Sequence, residues 1–227
     1  MSHKADRLAS QKWGIFTHYL SRIQNIDKRT SWNECVNEFD VKKFAKTLDE
    51  IKAGYVIFTI MQGSAELCAP NKTFELISGY LPGEACSERD LILELADELE
   101  KYGIDLMLYY TGDGPYKDKK AGNAFEYTHE GYDCVNADFV KKWAAVLEEY
   151  ATRYKEKIKG WWIDGCYTAL GYNDELLKIY KDAVLKVNPD AVVSFNNEAE
   201  IKKTPQRFYR CGVFYSPRSF SSDTSFT

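Results

Sequence analysis

Five short apolar runs recur along the chain, and the segments between them carry apolar residues at helical spacing. The runs are rich in β-branched and aromatic residues and are bounded by glycine, proline or polar clusters, which is typical of buried β-strands. They cover residues 13–19, 53–61, 104–110, 160–165 and 191–197. Because both faces of these runs are apolar, the pattern favours parallel strands with helices covering the sheet.

The segments between the runs predict helices with identifiable ends. Asp40 is placed to cap a first helix, whose apolar positions continue to the second run. A Ser-x-x-Asp sequence at Ser87 resembles a capping box and opens a second helix, which ends at Gly103. A third helix opens at Asp138 and a fourth near Asn173. The repeated order of strand and helix predicts an α/β fold with a parallel sheet.

Two α/β architectures fit this pattern, an open sheet and a barrel. A dinucleotide-binding sheet has a glycine-rich turn after its first strand, whereas His18-Tyr19-Leu20 stands there in this chain. A TIM-barrel-like (β/α) fold is therefore favoured. Eight strand–helix units need about 250 residues, and here five runs are clear and residues 210–216 are a candidate sixth. We expect one domain over residues 1–227, with five to six units and without the C-terminal part of the barrel.

Composition narrows the possible partners. The formal net charge is −4, and Lys and Arg are interspersed with Asp and Glu, so no basic face for nucleic acid is indicated. The apolar runs are too short to span a membrane. Residues 1–12 contain no apolar stretch of the kind found in signal peptides, so a cytoplasmic location is expected. Sequence leaves the oligomeric state open.

Six cysteines stand singly along the chain. No Cys-x-x-Cys pair or histidine at metal-ligand spacing accompanies them, so the sequence predicts no metal site. Most are expected to be buried free thiols, and a disulfide between Cys68 and Cys86 stays open.

Polar side chains follow every predicted strand at its carboxyl end, the edge at which parallel α/β sheets bind ligands. Asp164 is the strongest candidate, because an acid directly after an apolar run is costly to bury without a function. Position alone fits a loop-anchoring role for Asp164 and a hydrogen-bonded structural role for His18 equally well. Tyr109 and Tyr110 point in opposite directions, so only one can face the site. The strand-end residues are His18, Tyr19, Thr59, Gln62, Tyr109, Tyr110, Asp113, Asp164, Asn196, Asn197 and Glu198.

Four motifs follow one another between residues 12 and 197. They are Lys-Trp-Gly-Ile-Phe-Thr-His-Tyr at 12–19, the helix and strand at 39–59, Arg-Asp-Leu at 89–91 followed by Leu-Tyr-Tyr-Thr at 108–111, and Trp-Ile-Asp-Gly at 162–165. In this order they resemble the retaining α-L-fucosidase family of glycoside hydrolases. That family's first strand reads Lys-Phe-Gly-Ile-Phe-Ile-His-Trp, and its nucleophile strand reads Trp-Phe-Asp-Gly.

The resemblance implies a glycosidase that cleaves a terminal sugar, a fucoside or a related glycoside, by double displacement without cofactor or metal. Asp164 is then the nucleophile, His18 contacts sugar hydroxyls, and Tyr110 lies near the nucleophile. The residues expected to bind substrate are His18, Gln62, Tyr110, Trp162 and Asn196.

The chain departs from the family after its second strand. Gln62-Gly63-Ser64-Ala65-Glu66 stands where the family has His-His-Asp-Gly-Phe, so the paired sugar-binding histidines are absent. No motif identifies the general acid, for which Glu66, Asp113, Glu198 and Glu200 are candidates, and we assign Glu66. The alternative function is a catalytically inert barrel that binds carbohydrate. Because the pattern stops after residue 197, we expect this chain alone to be weakly active or inactive.

Overall fold

The computed structural model describes residues 4–26, 30–127 and 135–197. Its centre is one sheet whose strands all run parallel and pair in sequence order. The strands are β1 (Gly14–Thr17), β2 (Tyr55–Thr59), β3 (Asp105–Thr111), β4 (Ile158–Asp164) and β5 (Val192–Phe195). The predicted α/β fold with a parallel sheet is confirmed, and each strand overlaps its predicted run, although β4 begins two residues earlier than predicted. The candidate strand at 210–216 lies outside the described residues.

Helices precede and connect the strands, and most of them cover one side of the sheet. They are α1 (Lys4–Ser10), α2 (Ser21–Gln24), α3 (Trp32–Asn37), α4 (Val41–Glu50), α5 (Lys72–Ser78), α6 (Leu91–Glu100), α7 (Lys119–Ala124), α8 (Ala137–Tyr154) and α9 (Asp174–Leu185), with short 3-10 turns at Lys155–Lys157 and Thr168–Leu170. Within the described ranges, no helix combines the length and the apolar character needed to cross a membrane.

Helix starts follow side-chain caps, and two of the predicted starts were wrong. The caps predicted at Asp40 and Asn173 are confirmed. Helix α6 is capped by Asp90, whose carboxylate accepts from the Leu93 amide, whereas the Ser87 hydroxyl donates to a loop carbonyl. Helix α8 is capped by Asn136, two residues before the predicted Asp138. In both cases the effective cap is the side chain that reaches the free amides of the first helical turn.

The sheet has two faces with different surroundings. The first, which we call the helix face, carries large apolar side chains that pack under the helices in the main hydrophobic core. It includes Val56, Phe58, Leu106, Leu108, Tyr110, Trp161 and Ile163. The second, which we call the site face, carries a smaller cluster formed by Phe16, Tyr55, Ile57, Met107, Tyr109, Trp162 and Val192. Side chains alternate between the faces along the strands, as the pleat of a strand requires, except at the start of β4, where the register with β3 shifts.

Helix α1 lies at the amino-terminal edge of the site face. Its Leu8 packs against the site-face cluster. Asp105, the buried first residue of β3, accepts hydrogen bonds from Arg7 at 2.8 and 2.6 Å and from Gln11 at 3.0 Å. These bonds neutralise a buried carboxylate and fix the helix to the sheet. The candidate chemistry lies at the opposite, carboxyl edge.

The cysteines that the structure describes are free thiols: Cys35, Cys68, Cys86 and Cys166. Cys68 and Cys86 are therefore not paired with each other. Burial raises the pKa of Cys86 to about 12, so this thiol stays protonated and unreactive at neutral pH.

Candidate active site

Asp164 ends β4 at the carboxyl edge, and the two neighbouring strands hold its carboxylate. The Tyr109 hydroxyl of β3 donates to Oδ2 at 2.8 Å. The Asn196 amide, just beyond β5, donates to Oδ1 at 2.7 Å. Asp164 is only partly buried, so a ligand can approach it. Two donors on two different oxygens fix the orientation of the carboxylate before any ligand arrives.

The Tyr109 phenol acts as a hydrogen-bond donor. Burial, followed by the negative charge of Asp164, raises its pKa far above the ordinary value, so the phenol keeps its proton. Its oxygen accepts a hydrogen bond from Nε2 of Gln62 at 2.9 Å. Oε1 of Gln62 in turn accepts from the exposed guanidinium of Arg22, at 2.5 Å. A continuous series of hydrogen bonds therefore runs from Arg22 on α2 to Asp164 on β4.

His18 follows β1 and lies beside Tyr109, with ring centroids 5.1 Å apart. Its Nδ1 is 2.9 Å from the Thr59 hydroxyl, which donates its own hydrogen to the carbonyl of Thr17 at 2.8 Å. Thr59 must therefore accept from Nδ1, which leaves Nε2 as the acceptor nitrogen. Burial lowers the pKa of His18; the negative charge of Asp164 opposes this shift and the positive charge of Arg22 adds to it.

Aromatic side chains form the floor beneath these polar groups. The Phe16 ring lies 5.0 Å from the His18 ring, 5.7 Å from Tyr109 and 6.0 Å from Trp162. Trp162 and Asp164 project from the same face of β4, because they lie two positions apart along the strand. Trp162 is partly exposed, so its ring offers an apolar surface next to the carboxylate. Such a surface suits the C–H face of a sugar ring.

Two further carboxylates lie on loops at this edge. Asp113, after β3, accepts a hydrogen bond from the Thr111 hydroxyl. Its carboxyl group packs closely on Gly165, since a Cβ atom added to this glycine would lie 2.8 Å from Cγ of Asp113. Asp113 thus neighbours the residue that follows Asp164. Glu66, after β2, accepts from the Ser21 hydroxyl on α2. Among the described residues, no group of three or more His, Cys, Asp or Glu side chains could hold a metal ion.

The structure brings together most of the side chains singled out from sequence. Asp164, His18, Gln62, Trp162 and Asn196 share the carboxyl edge of the site face. Glu66 lies on an adjoining loop, and the candidates Glu198 and Glu200 lie outside the described residues.

The placement of Tyr110 near the nucleophile was wrong. Tyr110 is completely buried on the helix face, where its ring stacks on Trp143 at 5.0 Å and its hydroxyl donates to the Trp143 carbonyl at 2.9 Å. Tyr109 takes the position expected of Tyr110. The acidic Asp105 shares the parity of Tyr109, whereas Leu106 and Leu108 share that of Tyr110, and this difference in polarity distinguishes the two faces. Arg22 was missed altogether, since no motif surrounds it.

Solved structures with the same fold include several glycoside hydrolases. An α-L-fucosidase of glycoside hydrolase family 29 from Bacteroides thetaiotaomicron matches with a TM-score of 0.59 and 19% identity, over 85% of this chain and 48% of that chain. A bacterial fucosidase with a monovalent iminocyclitol inhibitor matches with a TM-score of 0.58 and 18% identity, over 85% and 48%. An endo-fucoidan hydrolase of family 107 matches with a TM-score of 0.60 and 16% identity, over 86% and 40%.

No protein-family model matches the chain, and no curated protein matches it. At the identities of the structural matches, the likeness concerns the fold, and this chain spans half or less of the length of those structures. The resemblance indicated by the sequence motifs is supported to that extent: the described residues form the α/β fold found in family 29 fucosidases and family 107 endo-fucoidan hydrolases.

Proposed function

We propose that this chain is a retaining glycoside hydrolase of the α-L-fucosidase type, with Asp164 as its nucleophile. The observation that carries the proposal is the carboxylate of Asp164, oriented by donors from both neighbouring strands yet open to a ligand. A neutral histidine and an aromatic floor adjoin it, and a sugar offers hydroxyls to the first and an apolar ring face to the second. The fold shared with fucosidases supports the same reading.

The proposed reaction has two displacements. In the first, an Asp164 oxygen attacks the anomeric carbon, the bond to the leaving oxygen breaks, and that oxygen takes a proton from a second carboxylic acid. In the second, the carboxylate left by that second acid removes a proton from water. The water oxygen attacks the anomeric carbon, and the bond between this carbon and Asp164 breaks. Each displacement inverts the anomeric carbon, so the overall result is retention.

The remaining side chains position the sugar. His18 Nε2 accepts a hydrogen bond from a sugar hydroxyl, and the Trp162 ring packs against the apolar side of the sugar. Gln62 and Asn196 each use one amide N–H on a protein partner and keep a second for a hydroxyl. Tyr110 has no part in binding, since its hydroxyl is occupied on the other face of the sheet.

The identity of the general acid can be tested with a pair of variants. We assign it to Glu66, and Asp113 is the competing candidate because its carboxyl lies against Gly165. Loss of the acid slows aryl glycosides with poor leaving groups far more than those with good ones. We expect Glu66→Gln to show this selective loss and Asp113→Asn to act on all substrates alike. The reverse result transfers the role to Asp113.

The function itself is tested by a screen of aryl glycosides, starting with the α-L-fucoside, in which NMR follows the anomer that forms first. Retained configuration together with loss of turnover in Asp164→Asn supports the proposal. The alternative function is a carbohydrate-binding protein without turnover. It is supported by Gln62, which stands in place of a family histidine and accepts a hydrogen bond from Arg22. Binding of sugars by calorimetry without any hydrolysis in the screen would favour that alternative.

A further inference from the structure

We propose that Arg22 is a positioning residue for the nucleophile and acts by locking the side-chain amide of Gln62 in one orientation. The inference rests on the proposed function, in which Asp164 reacts. It follows from the directions in which the hydrogen bonds between Arg22 and Asp164 must run. Nothing in the sequence motifs assigns a role to Arg22.

A guanidinium group only donates hydrogen bonds, so the part of Gln62 that faces Arg22 must be its oxygen. The amide nitrogen then faces Tyr109 and donates to the phenol oxygen. A phenol has a single hydrogen, and with its oxygen already accepting from Gln62 that hydrogen points to the carboxylate of Asp164. Each bond in the series thus determines the direction of the next.

Without Arg22 the side-chain amide of Gln62 can flip at little cost, because its oxygen and its NH₂ group are similar in shape. Gln62 then presents Oε1 to the phenol, and this oxygen competes with Asp164 for the phenol hydrogen. When the phenol donates to Gln62, Asp164 loses its hydrogen bond from Tyr109. Of the two donors, Asn196 then remains. Arg22 therefore affects the nucleophile through two intervening side chains without contacting it.

The position of Arg22 makes this role testable. Arg22 is exposed on the short helix α2, so its removal leaves the buried core unchanged. Lys117 provides a matched control, because it is also an exposed cation and its side chain approaches Gly63, the residue after Gln62. Its removal takes away an equal charge near the site without taking a donor from the Gln62 amide.

The decisive measurement needs no substrate. With tyrosine labelled at 13Cζ, the Tyr109 resonance is assigned by its loss in Tyr109→Phe. A phenol that donates to a carboxylate is deshielded at Cζ, so we expect an upfield shift in Arg22→Met. Arg22→Lys retains a donor-only group and should keep the wild-type resonance, and so should Lys117→Met. An unmoved resonance in Arg22→Met, or an equal shift in Lys117→Met, would overturn the proposal.

Kinetics supply the second readout. We expect Arg22→Met to lower kcat/KM by about tenfold, the effect of weakening one hydrogen bond to a charged group. In the Tyr109→Phe background the same substitution should change kcat/KM by less than about twofold, since residues that act through one another are not additive. Equal effects in both backgrounds contradict the lock. If no glycoside is turned over, the proposed function fails, while the labelled tyrosine still decides whether the lock exists.

Discussion

The two faces of the sheet use polar groups in different ways. On the helix face, buried hydroxyl and indole groups donate mainly to backbone carbonyls, as when Tyr110 donates to Trp143 and the Trp143 indole donates to Thr111 at 2.6 Å. On the site face, polar side chains bond chiefly to one another, as in the series from Gln62 through Tyr109 to Asp164. Bonds to the backbone fasten helices to strands, whereas bonds between side chains orient groups for a ligand.

Side chains on the two faces also differ in their exposure to solvent. Trp143 and Tyr110 are fully buried, whereas Phe16, Trp162 and Asp164 remain partly exposed. Burial of large apolar side chains supplies most of the stability of a fold. The helix face therefore supplies most of the stability, and the site face holds the candidate active site. This division can be tested by substitutions on each face.

The largest effect is expected at Asp164. Asp164→Gly should lower turnover of an aryl glycoside by about 10³-fold or more, because the proposed double displacement has no bypass without its nucleophile. Azide should restore cleavage by taking the place of the missing carboxylate. The free energy of unfolding, measured in urea, should change little. Asp190→Gly is the control, since Asp190 is exposed in the turn before β5, and its activity should match the wild type. Undiminished turnover in Asp164→Gly would remove the nucleophile assignment.

A pair of aromatic truncations compares the stability contributions of the two faces. Trp143→Ala leaves a cavity in the main core and should lower the free energy of unfolding by about 3–5 kcal/mol. Phe16→Ala removes a partly exposed ring and should cost less than about 2 kcal/mol. Urea titrations of both variants measure the difference. Equal losses would show that the site face is as important for stability as the helix face.

Adjacent tyrosines give the sharpest comparison. Tyr109→Phe removes the donor to Asp164 and should lower kcat/KM by about 10- to 100-fold with little change in stability. Tyr110→Phe removes the buried hydroxyl that donates to the Trp143 carbonyl and should cost about 1 kcal/mol of stability with activity unchanged. Kinetics and urea unfolding are measured on both proteins. The division between the faces fails if Tyr110→Phe is the variant that loses activity.

Most of the fold follows from patterns that act over short distances. Strands and major helices are predictable because apolar periodicity and caps such as Asp40 operate within a few residues. The local sequence also contains the capping box of Ser31 and Glu34, which starts α3 and was not predicted. The starts of α6 and α8 were misplaced because several neighbouring polar side chains can each serve as a cap.

The candidate site was less predictable, since its contacts join residues far apart in the chain. Asp164 and His18 could be chosen from their positions at strand ends, and the structure places them at the same edge. The choice between Tyr109 and Tyr110 depends on which face of β3 meets the helices. Arg22 contacts Gln62 forty residues later, and its exposed position gives no sequence signal.

The smallest predicted effect is a dependence of stability on pH that comes from His18. Burial lowers the pKa of folded His18 below the value of about 6.5 in an unfolded chain. Between these two values the unfolded chain binds more protons than the folded protein, so acid favours unfolding. The stability contributed by neutral His18 is complete above about pH 6.5 and declines as the pH falls toward the folded pKa.

This dependence is isolated by comparing the wild type with His18→Asn, which keeps an amide donor for the Thr59 hydroxyl. The free energies of unfolding of the two proteins are measured in urea at several pH values. Their difference should stay constant above about pH 7, and in acid the wild type should lose stability relative to the variant. In Arg22→Met this acid loss should be smaller and should level off at a higher pH, because the cation that helps to lower the pKa of folded His18 is gone, whereas Asp164 still raises it. Parallel curves for the wild type and His18→Asn would mean that His18 ionises alike in both states. The lowered pKa, which keeps the imidazole and its acceptor nitrogen on the site face neutral in mild acid, would then have no basis.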